Sequence, residues 1–151
     1  MQLLDDYIDA YISTLKYLDE VVSEPAAEYG LSFEQYLIMH AIAESYDDIT
    51  LTDIVEKRKV TRAAISRQIK MLMKKEYVYQ ETDCHDRRRQ ILRLTNEGKE
   101  VCEVVTNRVT NRWLSWEQAF GADRLQSFLD FVHDFEKVVV SKTRAQSHTI
   151  N

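Results

Sequence analysis

Glycine and proline are nearly absent: the 151 residues contain 3 Gly and 1 Pro. Tight reversals draw on those two residues for left-handed or pre-set backbone. A chain so poor in both is expected to be mainly helical, with few hairpins. Its length suits one compact domain with a core that needs no staples. With 44% hydrophobic and 30% charged residues, it is not a disordered chain. No apolar run is long enough to span a bilayer. The first ten residues, MQLLDDYIDA, lack the basic start and apolar stretch of a signal peptide. Cys84 and Cys102 make no disulfide framework, so the expected location is a reducing cytoplasm.

Hydrophobic spacing orders the helices. Leu4, Ile8, Tyr11, Leu15, Leu18 and Val22 step by four and three, which predicts one long first helix with a coiled-coil-like stripe. Pro25 should end or kink it, and Gly30 should break the chain. Ser32 with Gln35 offers a capping box for a second helix. Ile49 to Leu51 reads as a short strand, and Thr52 as the cap of a short helix that turns Ile54 and Val55 inward. A few residues later Thr61 can cap another helix, so the pair reads as helix-turn-helix. Two strand-like segments, YVYQE and RQILRL, flank a polar loop and predict a hairpin. Thr95 should cap a long helix running to about Phe120. After Gly121 a last amphipathic helix carries Leu125 to Val139, and a polar tail from Thr143 is expected to fray.

Charge is segregated. From Lys57 to Arg93 there are 12 Lys or Arg and 4 Asp or Glu, a balance of +8; the remainder carries −13. One face is thus suited to a polyanion while the rest repels it. On the helix after Thr61, Ile65, Ile69 and Leu72 fall on one side. Ala63, Arg67, Lys70 and Lys74 form a continuous stripe on the other. A small residue lets a backbone approach a DNA major groove, and a long arginine reaches base edges. Arg67 is the candidate for bidentate contact with guanine. Arg62 flanks the stripe near the helix start, and Ser66, Lys70 and Lys74 fall where phosphates would run. In isolation this would be an ordinary solvated helix. The tight turn before it and the arginine-tipped hairpin after it favour DNA. Arg87 and Arg88 at that tip suit the narrow minor groove, whose negative potential favours guanidinium. Asp86 is expected to hold Arg88 by a salt bridge, with turn formation as a compatible second role.

DRR (Asp86, Arg87, Arg88), followed by Leu94, Thr95 and Gly98 as LT-x-x-G, resembles the MarR family of winged helix-turn-helix regulators. The segment VTRAAISRQIKMLMKKEYV resembles that family's recognition region. The resemblance implies a mainly α fold with a winged helix-turn-helix over 32–95. It implies dimerisation through the helices of 1–30 and 96–142, a homodimer on a pseudo-palindromic duplex DNA operator, and often a small-molecule pocket. By position, Arg88 matches the minor-groove arginine, and Ala63, Ala64 and Arg67 the base-contacting positions. Glu76 departs from the family pattern, which has Gly there, so the recognition helix is expected to end differently. The apolar stripes of both terminal helices also favour a shared intersubunit core, although packing on each other within one chain is the alternative.

Tyr11, Tyr36, His40 and Trp113 are candidates for a pocket that takes an aromatic or apolar effector; core packing explains each of them equally well. His40, His85, His133 and His148 have no metal-ligand spacing, and neither a metal nor a cofactor is expected. Cys84 on the wing reads as an incidental free thiol. No phosphate loop, nucleophile motif or carboxylate pair suggests an enzyme. The expected function is a sequence-specific DNA-binding regulator, a homodimeric repressor released by an effector, with no membrane partner. The alternative is a winged-helix module that binds an acidic protein.

Overall fold

The computed structural model describes residues 1–58 and 60–147, with side chains described through residue 144 and at 60 onward as well as before 59. The expected long first helix is broken. Helix α1 (Gln2–Ser13) passes through a 3₁₀ turn (Leu15–Tyr17) into α2 (Leu18–Ala27). The break falls at Thr14, with φ −135° and ψ −59°. The Ser13 and Thr14 hydroxyls lie 3.2 Å apart in a hydrogen bond. Adjacent hydroxyl residues are weak helix formers because they compete for local hydrogen bonds. Pro25 does not end the helix as expected. It lies inside α2, buried beside Ala26. Lacking an N–H, it cannot make the bond to the carbonyl four residues back, so α2 forgoes one backbone bond there. The chain reverses at Gly30 (φ +65°). There Leu31 N–H donates to the Ala26 carbonyl (3.3 Å) and Gly30 N–H to the Ala27 carbonyl (2.9 Å), a Schellman ending.

Ser32 and Gln35 form the expected capping box at the start of α3 (Phe33–Ala43). The expected strand at Ile49–Leu51 reduces to a single bridge between Thr50 and Ile91. Helix α4 (Leu51–Arg58) begins there instead. Its cap is Thr50, not Thr52: the Thr50 N–H and hydroxyl both donate to Asp53 Oδ2 (2.7 Å each). These bonds hold the Asp53 carboxyl below its usual pKa. Thr61 caps α5 (Arg62–Lys74), its hydroxyl accepting from Ala64 N–H (3.2 Å). Strands β1 (Val78–Thr82) and β2 (Gln90–Leu94) pair antiparallel, from Val78 opposite Leu94 to Thr82 opposite Gln90. Then come α6 (Asn96–Phe120), α7 (Ala122–Phe135), a π-helical turn (Glu136–Val140) and α8 (Ser141–Ser147). The tail expected to fray from Thr143 is thus helical through Ser147, with the Thr143 hydroxyl donating to the Val139 carbonyl (3.1 Å). Residues 148–151 lie outside the described residues.

The chain divides into two compact units, Met1–Val109 and a second beginning at Thr110, within α6. The first holds the core: Ile38 and Met39 of α3, Ile54 of α4, Ile69 and Leu72 of α5, Leu92 of β2 and Val105 of α6 are all essentially inaccessible. Full burial of such a side chain stabilises by about 1.5–3 kcal/mol. These contacts set the angle at which α5 and the hairpin leave the body.

Helix α5 ends in the same Schellman geometry as α2, contrary to the expectation drawn from Glu76. Tyr77 N–H donates to the Leu72 carbonyl (3.1 Å) and Glu76 N–H to the Met73 carbonyl (3.0 Å). Glu76 itself takes φ +59°. The hydroxyl of Thr95 donates to the Glu76 carbonyl (2.7 Å), one of the contacts that hold the non-glycine residue in this unfavourable region. Glu76→Gly is therefore expected to stabilise the fold by about 1 kcal/mol. A rise in the urea midpoint at unchanged slope would show it; an unchanged or lower midpoint would mean that the geometry is unstrained.

Candidate nucleic-acid interface

Helix α5 presents the two faces that its spacing predicts. Ile65, Ile69 and Leu72 are buried, while Ala63, Arg67, Lys70 and Lys74 are exposed. Ala64 and Ser66 are half-buried at the margins of the outward stripe. Arg67, Lys70 and Lys74 make no side-chain ion pair or hydrogen bond with any described residue. Arg62 is tethered: its Nη1 donates to Thr52 Oγ1 (2.9 Å), tying the start of α5 to α4.

The loop between β1 and β2 is built around two aspartates. Asp83 is buried; its Oδ1 accepts from His85 N–H (2.8 Å) and its Oδ2 from Arg89 Nη1 (3.1 Å). Arg89 Nη2 also donates to the Asp48 carbonyl (3.0 Å). Asp86 Oδ1 accepts from Arg88 N–H (3.0 Å), and the Asp86 carbonyl from Arg89 N–H (2.9 Å). The salt bridge expected between Asp86 and Arg88 is absent. At a spacing of two residues the carboxylate meets the backbone N–H first, as in an Asx turn, so Asp86 shapes the loop rather than neutralising its arginine.

This sorts the basic side chains. Arg89 is paired with Asp83, and Arg93 bridges Asp48 (2.7 Å) and Glu81 (3.0 Å). Bonds to those two carboxylates raise the pKa of Arg93 further. Arg87 and Arg88 have no such side-chain partner among the described residues. Sequence distance hides the second pairing, since Asp48 lies 45 residues from Arg93.

Arg62 and Arg88 line one concavity of ≈ 390 Å³, with Thr50, Thr52 and Gln80. The helix start and the wing therefore open onto a common space. The Thr50 and Thr52 wall was missed because the cap was read two residues late; T-x-x-D at Thr50–Asp53 is its visible signal.

Asp83 gives this loop a pH dependence. Its hydrogen bonds from the backbone N–H of His85 and from Arg89 hold its pKa below the usual carboxylate value. A depressed folded pKa contributes stability above the unfolded value, near 3.9, and loses it as pH falls through the folded value. The wing is expected to loosen below about pH 4. Amide chemical shifts of His85 and Arg89 followed to acid pH should move in step with Asp83 protonation, and Asp83→Asn should abolish that step. Shifts that persist in Asp83→Asn would assign it to another group.

Of the four effector-pocket candidates, Tyr36 and His40 lie side by side on α3. His40 lines a cavity of ≈ 440 Å³ near Tyr79 and Cys102. Tyr36 is buried, its ring stacked on His40 (5.7 Å) and its hydroxyl donating to Thr106 (3.2 Å). Burial pushes the Tyr36 hydroxyl pKa up. Tyr11 and Trp113 are exposed. Cys84 is exposed, whereas Cys102 is buried and its thiol pKa is raised by burial. Among the described residues, no group of three or more His, Cys, Asp or Glu could hold a metal, and no helix is long and apolar enough to cross a membrane.

Comparison with known proteins agrees with this geometry. The MarR family model matches residues 29–89. A Staphylococcus aureus protein named as uncharacterized HTH-type transcriptional regulator SAS2155 is 22% identical, over 94% of this chain and 95% of its own length. Staphylococcus aureus MarR in complex with salicylate and kanamycin superposes with TM-score 0.66 at 18% identity, covering 93% of this chain and 94% of that one. An S. aureus MepR variant bound to an oligodeoxyribonucleotide has TM-score 0.59 at 18% identity, covering 87% and 95%. The family model lies on the helix-turn-helix and wing just described, so residues 29–89 are what this chain has in common with the MarR family.

Proposed function

We propose that the protein is a homodimer that binds a pseudo-palindromic duplex operator sequence-specifically and represses transcription in the cytoplasm until a small molecule releases it. The observation that carries this reading is the concavity shared by Arg62 at the head of α5 and Arg88 on the wing. The unpaired Arg67, Lys70 and Lys74 lie along the same helix. Arg67 reads a base in the major groove, with Ala63 and Ala64 allowing close approach. Ser66, Lys70 and Lys74 hold phosphates, and Arg87 and Arg88 engage the adjacent minor groove. The MepR variant bound to an oligodeoxyribonucleotide supports the DNA partner, and the MarR complex with salicylate and kanamycin supports a small-molecule one.

The terminal helices support the dimer. Leu4, Ile8, Tyr11 and Leu15 of the first stripe are exposed, as are Phe128, Val132, Phe135 and Val139 of the last. Apolar surface of this extent marks an interaction face. A two-fold partner would cover it and set two recognition helices about one DNA turn (~34 Å) apart.

The test is a salt titration of binding to duplexes selected from genomic fragments. Affinity should fall with a slope near −0.9 per phosphate neutralised, at two chains per site. Equal affinity for every duplex, or one chain per site, would contradict the proposal. Failure to bind duplex together with tight binding to an acidic protein would favour a protein-interaction module.

A further inference from the structure

Among the described residues, the buried polar or charged ones are Asp83, which closes the wing loop, and Gln35 of α3. Gln35 is 4% exposed, and its side chain serves two elements. Its Oε1 accepts from Ser32 N–H (3.2 Å), which completes the capping box of α3. Its Nε2 donates to Gln68 Oε1 (2.9 Å) and to Met71 Sδ (3.7 Å), both on α5. Each of these acceptors directly follows a residue of the outward stripe, Arg67 and Lys70. A capping box needs only the side-chain oxygen, and glutamate would supply it equally well. The cap therefore does not account for the amide nitrogen.

We propose that Gln35 is a positioning residue for the reading of DNA: it fixes the rotation of α5 about its own axis, and with it the direction in which Arg67 and Lys70 leave the body. Ile65, Ile69 and Leu72 hold α5 on the core by apolar burial, which is non-directional. A hydrogen bond weakens steeply as distance or angle drifts. One amide shared between Gln68 and Met71 thus sets a rotational phase that apolar burial leaves loose. The tolerance is small. Side chains end about 5–6 Å from a helix axis, so a turn of about 10° moves their ends by about 1 Å. A shift of that size spoils a two-bond contact with a base edge and leaves a phosphate contact usable. The effect on reading rests on the DNA-binding function proposed above; the clamp between α3 and α5 does not.

Three variants separate the clamp from the cap. Gln35→Met removes the amide. Gln68→Met removes its acceptor and leaves the cap, while Ser32→Ala weakens the cap and leaves the clamp. Each methionine variant should lower the affinity ratio of selected operator to unrelated duplex by about fivefold, with affinity for unrelated duplex unchanged. The double methionine variant should lose no more of this ratio than either single one. Ser32→Ala should lower the urea midpoint and keep the wild-type ratio. A wild-type ratio in both methionine variants, or an equal loss in Ser32→Ala, would overturn the positioning role. In the absence of DNA, residual dipolar couplings of the α5 amides, referred to those of α3, should change in the methionine variants and not in Ser32→Ala. Unchanged couplings in all three would overturn the clamp. A wild-type protein that does not discriminate between duplexes would count against the proposed function, and the couplings would still decide the clamp.

Discussion

Gly98→Ala is expected to destabilise the protein by about 3 kcal/mol or more. A Cβ built on Gly98 would stand 2.0 Å from the Tyr77 carbonyl oxygen and 2.9 Å from its carbon. Both are backbone atoms of the segment between α5 and β1, so no rotamer change relieves the clash. That segment is already tightly held. Tyr77 N–H closes the end of α5, Thr95 N–H donates to the Tyr77 carbonyl (3.1 Å), and Gly98 N–H donates to the Thr95 hydroxyl (2.9 Å). Relief would have to move α6 away from the hairpin or unseat α5. Urea denaturation should show a midpoint far below wild type, with duplex affinity falling in the protein that is still folded. A loss under about 1 kcal/mol would mean that the α6–hairpin junction yields easily and does not position the wing.

The second large effect is on discrimination. Arg67→Ala is expected to reduce preference at one base position by about 1–3 kcal/mol, and to weaken binding to unrelated duplex much less. Arg67 is exposed, lies on the outward stripe and has no protein partner to release, so its removal should leave stability near wild type. Lys70→Ala should do the reverse, weakening all duplexes alike and lowering the salt slope by about one phosphate. Arg88→Ala should weaken binding most where the flank is A·T-rich, since the narrow groove there attracts guanidinium. Binding to arrays of single-base operator variants separates these outcomes. If Arg67→Ala weakens every sequence equally, Arg67 contacts phosphate and the base-reading face lies elsewhere on α5.

Elements governed by local patterning could be read from the sequence. The capping residues Ser32 and Thr61, the buried row Ile65, Ile69 and Leu72, and the two strands all follow from spacing within a few residues. LT-x-x-G was visible as a motif, but its reason was not: Gly98 is small because Tyr77, 21 positions earlier, passes against it. The misreadings arose where neighbours compete. Ser13 and Thr14 interrupted a perfect apolar stripe, Thr50 displaced Thr52 as a cap, and Asp86 bonded backbone instead of guanidinium. Glu76 kept a glycine-like conformation because the fold around it tolerates the strain. Which arginines stay unpaired depends on Asp48 and Asp83, and sequence distance hides the first of these.

The central claim is that the outer face of α5 and the wing grip one duplex together. Cys84 offers a direct measurement, since it is exposed on the wing while the other cysteine is buried. A DNA-cleaving group attached to Cys84, on protein that still binds its selected duplex, is predicted to cut at two symmetric sites. Each should lie in the minor groove beside a protected major-groove segment. Cuts scattered evenly along the bound duplex, or none at all, would contradict the account.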